Sequence, residues 1–302
     1  MTDDFQRYLR AKRTVDDRAL DRRLVARLRD SLAGRVADGE TVSVLELGAG
    51  IGTMVTRFIE WDVLPATAVH YTAVDLRQAN VDAVSEQLRN WASGRPVTVD
   101  SANGRVTLSG AEREVTVEPV AADAVEYVET ARADHDLLVA AALLDIVDNV
   151  PLSTFLDALD TGGLYYFPLT FDGATRFRPR HPHDSAVERA YHEHMDTKSG
   201  GNSRAGDSSL IELQQLPGVS VDAAGSDWVV TPNDDGYPAD EAYFLEFILG
   251  TIERAVGERA ETTETLQPWL RTRREQLETE QLVYSTHQLD ILGRVGDPDA
   301  FE

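Results

Sequence analysis

The chain has 302 residues, enough for one α/β domain with additions or for two small domains. Its 52 Asp and Glu against 29 Lys and Arg give a formal charge of -23, with Lys12 and Lys198 its lysines; nucleic acid and anionic membrane need a cationic footprint and are not expected partners, whereas an acidic, lysine-poor surface suits a salt-filled cytoplasm. Without cysteine there are no disulfides, thiolate metal sites or cysteine nucleophile, and with neither an apolar run of about 20 residues nor a basic-then-apolar start the expected location is cytoplasmic.

In chain order, Thr14 with Asp17 has the form of a capping box, and Leu20, Leu24, Leu28 and Leu32 share one helical face before Gly34. Upstream, Phe5 to Val15 carries Tyr8 and Leu9 and either packs on a sheet or folds over a ligand mouth. A strand from Val44 then runs through Glu46 into Gly48-Ala49-Gly50-Ile51-Gly52. Glycine suits that turn because the chain reverses sharply and a Cβ would hold the backbone away from a ligand. The dinucleotide pattern G-x-G-x-x-G fails, since the third glycine comes one residue early and Thr53 takes its place.

Val69 to Asp75 is a second strand that ends in a carboxylate, followed by a helix with Val81, Val84, Leu88 and Trp91 on its apolar face. Residues 97 to 117 alternate around Asn103-Gly104 and predict a structural hairpin away from the ligand. Val115 to Val120 leads into Ala121-Ala122-Asp123-Ala124, and Asp136 to Ala140 is a buried strand continued by Ala141-Ala142-Leu143-Leu144-Asp145. A helix over about Pro151 to Leu159, a Gly162-Gly163 break and a strand over Leu164 to Leu169 follow. Arg176, Arg178, Arg180, His181 and His183 form a basic cluster, with Tyr191, His192 and His194 beyond it. Histidines two apart do not share a helix face, and no further ligand spacing completes a set, so no metal site is expected. The C-terminal part reads as a strand over Asp222 to Val230, helices around Tyr237 to Leu245 and Thr265 to Leu282, and a last strand over Leu282 to Leu292.

The run Glu46-x-Gly48-x-Gly50-x-Gly52 resembles motif I of the class I S-adenosyl-L-methionine (SAM)-dependent methyltransferases, and the later segments follow in that family's order. The resemblance implies a Rossmann-like α/β fold with a seven-stranded, doubly wound sheet. Its strands are mostly parallel, with an antiparallel last strand inserted between the fifth and sixth. Expected boundaries are a helical extension over 1–34, a core over 35–170, 208–232 and 281–302, and cap insertions over 171–207 and 233–280 on the cofactor face. Cofactor contacts carried over are Glu46, Gly48, Ala49, Gly50 and Gly52 from motif I, Asp75 and Leu76 for the ribose, Asp123 and Ala124 for the adenine, and Ala140 and Ala141 for the methionine end.

Members that methylate nucleobase amines carry Asp/Asn-Pro-Pro-aromatic after the fourth strand, where this chain has Ala141 to Asp145. The implied activity is methyl transfer to a small molecule in a capped pocket. Positioning and water exclusion suffice for that chemistry, and a general base is needed only for a weakly acidic acceptor; His194, His192, Tyr191 and Asp145 are the candidates. Arg176, Arg178 and His181 either draw in an anionic acceptor or pair with surface carboxylates. Two alternatives stay open: a non-catalytic protein that binds SAM or S-adenosylhomocysteine, and another SAM-fold transferase such as one moving the aminopropyl group.

Overall fold

The computed structural model describes residues 2–35, 40–130, 134–147, 149–257 and 263–296; the expected tail beyond 296 lies outside them. Three helices come first, α1 (Thr2–Ala11), α2 (Arg13–Ala19) and α3 (Arg22–Arg35). The single helix expected here is interrupted at Leu20, and Thr14 caps nothing: its hydroxyl donates to Glu241 at 2.6 Å. Asp21 caps α3 instead, accepting from the Leu24 N–H at 2.8 Å, and Leu24, Leu28 and Leu32 are buried on the face their spacing predicts.

The parallel core follows as β1 (Val42–Leu47), α4 (Thr53–Glu60), β2 (Ala68–Asp75), α5 (Gln78–Ala92), β5 (Glu114–Ala121), α6 (Ala124–Thr130), β6 (His135–Ala140), α7 (Leu152–Leu156) and β7 (Leu159–Arg178). Before β5, the strands β3 (Thr98–Ala102) and β4 (Arg105–Ser109) pair around Asn103 and Gly104, both at positive φ as a tight hairpin turn requires. The rest comprises α8 (Asp184–Thr197), α9 (Ala205–Gln215), β8 (Val219–Gly225), β9 (Trp228–Val230), α10 (Glu241–Gly257), α11 (Thr263–Glu278) and β10 (Val283–Val295).

One sheet has the order β3-β4-β5-β2-β1-β6-β7-β10-β8. β5, β2, β1, β6 and β7 pair in parallel, and β10 lies antiparallel between β7 and β8, as expected of the seventh strand. Among the described residues the sheet has ten strands, not seven. The hairpin extends one edge by two strands, and the single strand expected over Asp222 to Val230 is divided, so that β9 pairs with the far part of β10.

Alternation along the strands splits the apolar side chains into two layers. Val42, Val44, Tyr71, Leu137, Val139 and Tyr166 face α3, α4 and α5, while Leu45, Leu47, Leu138, Ala140 and Phe167 face α6, α7 and α9. Glu46 belongs by parity to the first layer, which fixes where its carboxyl is buried. Strand five also differs from expectation, since β7 runs on past Leu169 to Arg178 and pairs with β10 along its extension. The extension carries both strands beyond the ends of β1, β2 and β6 and raises a wall beside the motif I turn.

Candidate functional site

A cavity of about 570 Å³ opens at the C-terminal ends of the parallel strands, the edge where open α/β sheets bind ligands and a volume within the roughly 300–1,000 Å³ of small-molecule sites. Glu46, Gly48, Ala49 and Gly50 line it from the first turn, Asp75 and Leu76 from the end of β2, and Asp123, Ala124 and Ala141 from the ends of β5 and β6. Gly48 and Gly50 have φ of +70° and +58°, the left-handed region that favours glycine.

Asp75 ties this floor together. Its Oδ2 accepts from the Gly50 N–H at 2.8 Å, and its Oδ1 accepts from the Arg77 N–H at 2.8 Å and from Asn80 Nδ2 at 3.0 Å. Asp123 Oδ1 caps α6, accepting from the N–H groups of Val125 and Glu126. Leu76 lies beside Asp75 at the mouth and is 71% exposed.

Two cofactor residues carried over from the resemblance lie off the cavity. Gly52 is the N-cap of α4, and a Cβ there would come within 3.3 Å of Val84, so it serves helix packing. Ala140 points by strand parity into the layer of α6 and α7, leaving Ala141 as the cavity residue.

Glu46 is buried, and the Tyr71 hydroxyl donates to its Oε2 at 2.8 Å. Burial raises its pKa from 4.5 to about 8, outweighing the Tyr71 hydrogen bond and the Arg57 charge that act the other way. An acid raised on folding stabilises the fold fully below its unfolded pKa, and that contribution is lost as pH rises through the folded value. Glu46→Gln is therefore expected to gain stability relative to the wild type between about pH 4.5 and pH 8, read by urea unfolding across that window. Parallel stability curves for the two proteins would mean that Glu46 ionises freely.

The remaining wall comes from elements outside the parallel core. Phe5, Tyr8, Leu9 and Lys12 of the N-terminal segment line it. Tyr8 stacks on Phe247 of α10 with centroids 4.1 Å apart, and Arg77 lies 4.1 Å over the Phe5 ring. Asp16 is a hub: Lys12 Nζ pairs with it at 2.8 Å, Trp228 Nε1 donates to it at 2.9 Å, and Arg57 Nη2 lies 3.8 Å away. Arg57 is 1% exposed, and its Nε donates to Asp17 at 2.6 Å. Sequence reading missed the group Lys12, Asp16 and Arg57. Its one signal was a lysine kept in a chain that has almost none.

Of the candidate bases, Asp145 and Tyr191 line the cavity, whereas His192 and His194 do not. On α8 the stripe of Tyr191 and Met195, four residues apart, faces inward. His192 sits behind the wall, its Nε2 3.0 Å from Thr175 Oγ1 and its ring edge-on to Phe171. His194 is buried within the helix packing. Burial raises the Asp145 pKa to about 6, against the lowering effects of its backbone hydrogen bond and Lys12.

Arg176, Arg178 and His181 are also absent from the cavity lining. Because β7 continues, Thr175 and Phe177 are buried while Arg176 and Arg178 alternate to the exposed face, and the Arg178 guanidinium donates to the Phe177 carbonyl. His181 belongs to the turn before α8, where its Nδ1 accepts from the His183 N–H at 3.2 Å. Changing Arg176 and Arg178 together to Gln is expected to shift stability by less than about 1 kcal/mol and to leave S-adenosylhomocysteine affinity unchanged. Denaturation and calorimetric titration check both parts, and a large loss of affinity would place the pair near the ligand after all.

Among the described residues no cluster of three His, Asp or Glu side chains could hold a metal ion, and no helix is long and apolar enough to cross a membrane.

No family model matches the chain, and no curated protein matches it. Solved structures do resemble it. Phosphoethanolamine N-methyltransferase 2 of Haemonchus contortus, crystallised with S-adenosyl-L-methionine, is 14% identical with a TM-score of 0.39 over 90% of this chain and 52% of its own, so this chain spans about half its length. The plantazolicin methyltransferase BamL, in complex with a triazolic desmethylPZN analog and SAH, is 13% identical with a TM-score of 0.41, covering 95% of this chain and 90% of its own. YjhP of E. coli is 14% identical with a TM-score of 0.41, covering 92% and 94%. Likeness this slight carries no function across, so what the cavity does has to be argued from its own residues.

Proposed function

We propose that the protein is a SAM-dependent methyltransferase that acts on a small molecule enclosed under α1, α8 and α10. The observation that carries this reading is the Asp75 carboxylate bonded to the Gly50 N–H at the rim of a cavity floored by two left-handed glycines. It joins the acidic end of strand two to the motif I turn in one site, and the chain's own residues fit the cofactor. Gly48, Ala49 and Gly50 offer backbone at close approach, Asp75 keeps one lone-pair site beyond its three donors for a ribose hydroxyl, and Leu76, Asp123 and Ala124 line the part of the cavity assigned to the adenine. Glu46 and Ala141 border the amino-acid end.

When bound, the cofactor supplies an activated methyl group on a sulfonium, and the protein's task is to position an acceptor and exclude water. The Tyr8–Phe247 stack and the wall of β7 and β10 perform that exclusion. Helices α1 and α2 and the insertions over 171–207 and 233–280 then act as the cap, with the exceptions that residues up to Arg178 are sheet and that α3, in the extension over 1–34, packs on the sheet. The net charge supports a cytoplasmic enzyme of a salt-rich cell with no nucleic-acid partner.

The test is incubation with methyl-labelled SAM and a metabolite extract at low and high salt, followed by mass spectrometry. Labelled product with S-adenosylhomocysteine supports the reading. Methylthioadenosine would mark transfer of the aminocarboxypropyl chain, or of the aminopropyl group when decarboxylated SAM is supplied, and tight cofactor binding without any product would mark a non-catalytic binder.

A further inference from the structure

Besides Arg57 Nη2, three buried side-chain oxygens of cavity residues lack a hydrogen-bond partner. They are Asp145 Oδ1 after β6, and Thr286 Oγ1 and Gln288 Oε1 on β10. Thr286 and Gln288 are 4% and 2% exposed. Register explains their shared direction: Thr286 pairs with Thr175 and Gln288 with Phe171, both cavity residues of β7. A buried oxygen with no donor costs roughly 1–3 kcal/mol, so three on one wall mark a place where a ligand supplies the donors.

Charge narrows the class. Three cations line the cavity: Lys12 pairs with Asp16, Arg57 bonds Asp17 through Nε while its Nη2 has no hydrogen-bond partner and lies 3.8 Å from Asp16, and Arg77 lies over the Phe5 ring at the mouth. Asp145 Oδ1 accepts from no group. At Asp145 itself an anionic head would meet a carboxylate, and Lys12 and Arg57 already carry Asp16 and Asp17 as ion-pair partners. Around these oxygens stand the rings of Tyr191, Tyr284, Trp228 and Phe171, an apolar wall whose faces also attract cations.

We propose, building on the methyltransferase reading, that this wall is the acceptor subsite and that it takes a small amine with an apolar or aromatic body, its ammonium held by Asp145 and its remaining donors by Thr286 and Gln288. Before transfer the ammonium gives up one proton, to Asp145 or to solvent. The nitrogen lone pair then forms the new C–N bond, the C–S pair returns to sulfur, and the positive charge moves onto nitrogen, where the wall is already arranged to hold a cation. The raised pKa of Asp145 suits it to receive that proton.

The test uses protein saturated with S-adenosylhomocysteine and three probes of similar shape: 2-phenylethylamine, 3-phenylpropan-1-ol and 3-phenylpropionate. Calorimetric titration is expected to rank the amine first, with the propionate weakest. Asp145→Asn is expected to lose about thirtyfold in amine affinity while S-adenosylhomocysteine still binds, and Thr286→Val with Gln288→Leu a smaller amount. Propionate binding as well as the amine, no binding of any probe, or an Asp145→Asn protein that keeps its amine affinity would overturn the proposal. The wild-type ranking decides even if the variant does not fold. Failure of S-adenosylhomocysteine itself to bind is a separate outcome that removes the methyltransferase reading.

Discussion

Asp75→Ala is expected to weaken S-adenosylhomocysteine binding by about 2–3 kcal/mol, roughly thirty- to 150-fold, and to lower the stability of the free protein by about 1–3 kcal/mol. Both effects come from one carboxylate. It accepts from Gly50 N, Arg77 N and Asn80 Nδ2, so its removal leaves three donors to find water and releases the turn that a cofactor must meet. Asp75→Asn separates the two, since an amide fills the same volume but turns one acceptor into a donor that opposes an N–H. That variant is expected to fold and still to bind poorly. Calorimetry with urea unfolding reads both quantities, and unchanged affinity in both variants would move the ribose acceptor to another residue.

Gly48→Val and Gly50→Val are expected to abolish measurable binding, a loss of more than about a hundredfold, for a different reason. At φ of +70° and +58° a β-branched residue is strained by about 1–3 kcal/mol before it touches anything. A Cβ at Gly48 would also lie 3.1 Å from Leu143 Cδ1, and one at Gly50 3.1 Å from Leu9 Cδ1. Those leucine ends can move aside, but the added methyls then stand where backbone must meet ligand. Affinity within about threefold of wild type for both variants would show that the glycines serve the turn alone.

The floor of the site was legible because each of its parts is local. A strand, its terminal carboxylate and the turn after it are neighbours in sequence, and Glu46, Gly48, Gly50, Asp75 and Asp123 reach one cavity by the simple rule that parallel strands end on the same edge. The wall of β7 and β10 was not legible, because it depends on how far strands run. The sequence reading ended strand five at Leu169, whereas pairing to β10 carries β7 on to Arg178. That continuation alone decides that Arg176 and Arg178 face outward while Thr175 faces the cavity. His192 and His194 stand off the cavity lining, since the inward stripe of α8 is set by its packing against β7 and α10 and falls on Tyr191 and Met195. Asp145 was named from chain order as a candidate base. Its partners across the wall, Thr286 and Gln288, lie more than a hundred residues away and only strand register brings them together.

The most direct test of the account is calorimetric titration of S-adenosylhomocysteine into the wild-type protein, at low and at high salt, with Gly50→Val alongside. The account predicts one site per chain with affinity in the micromolar range or tighter and no heat in the variant. Absence of binding by the wild-type protein at millimolar ligand, or equal binding by the Gly50→Val protein, would contradict it.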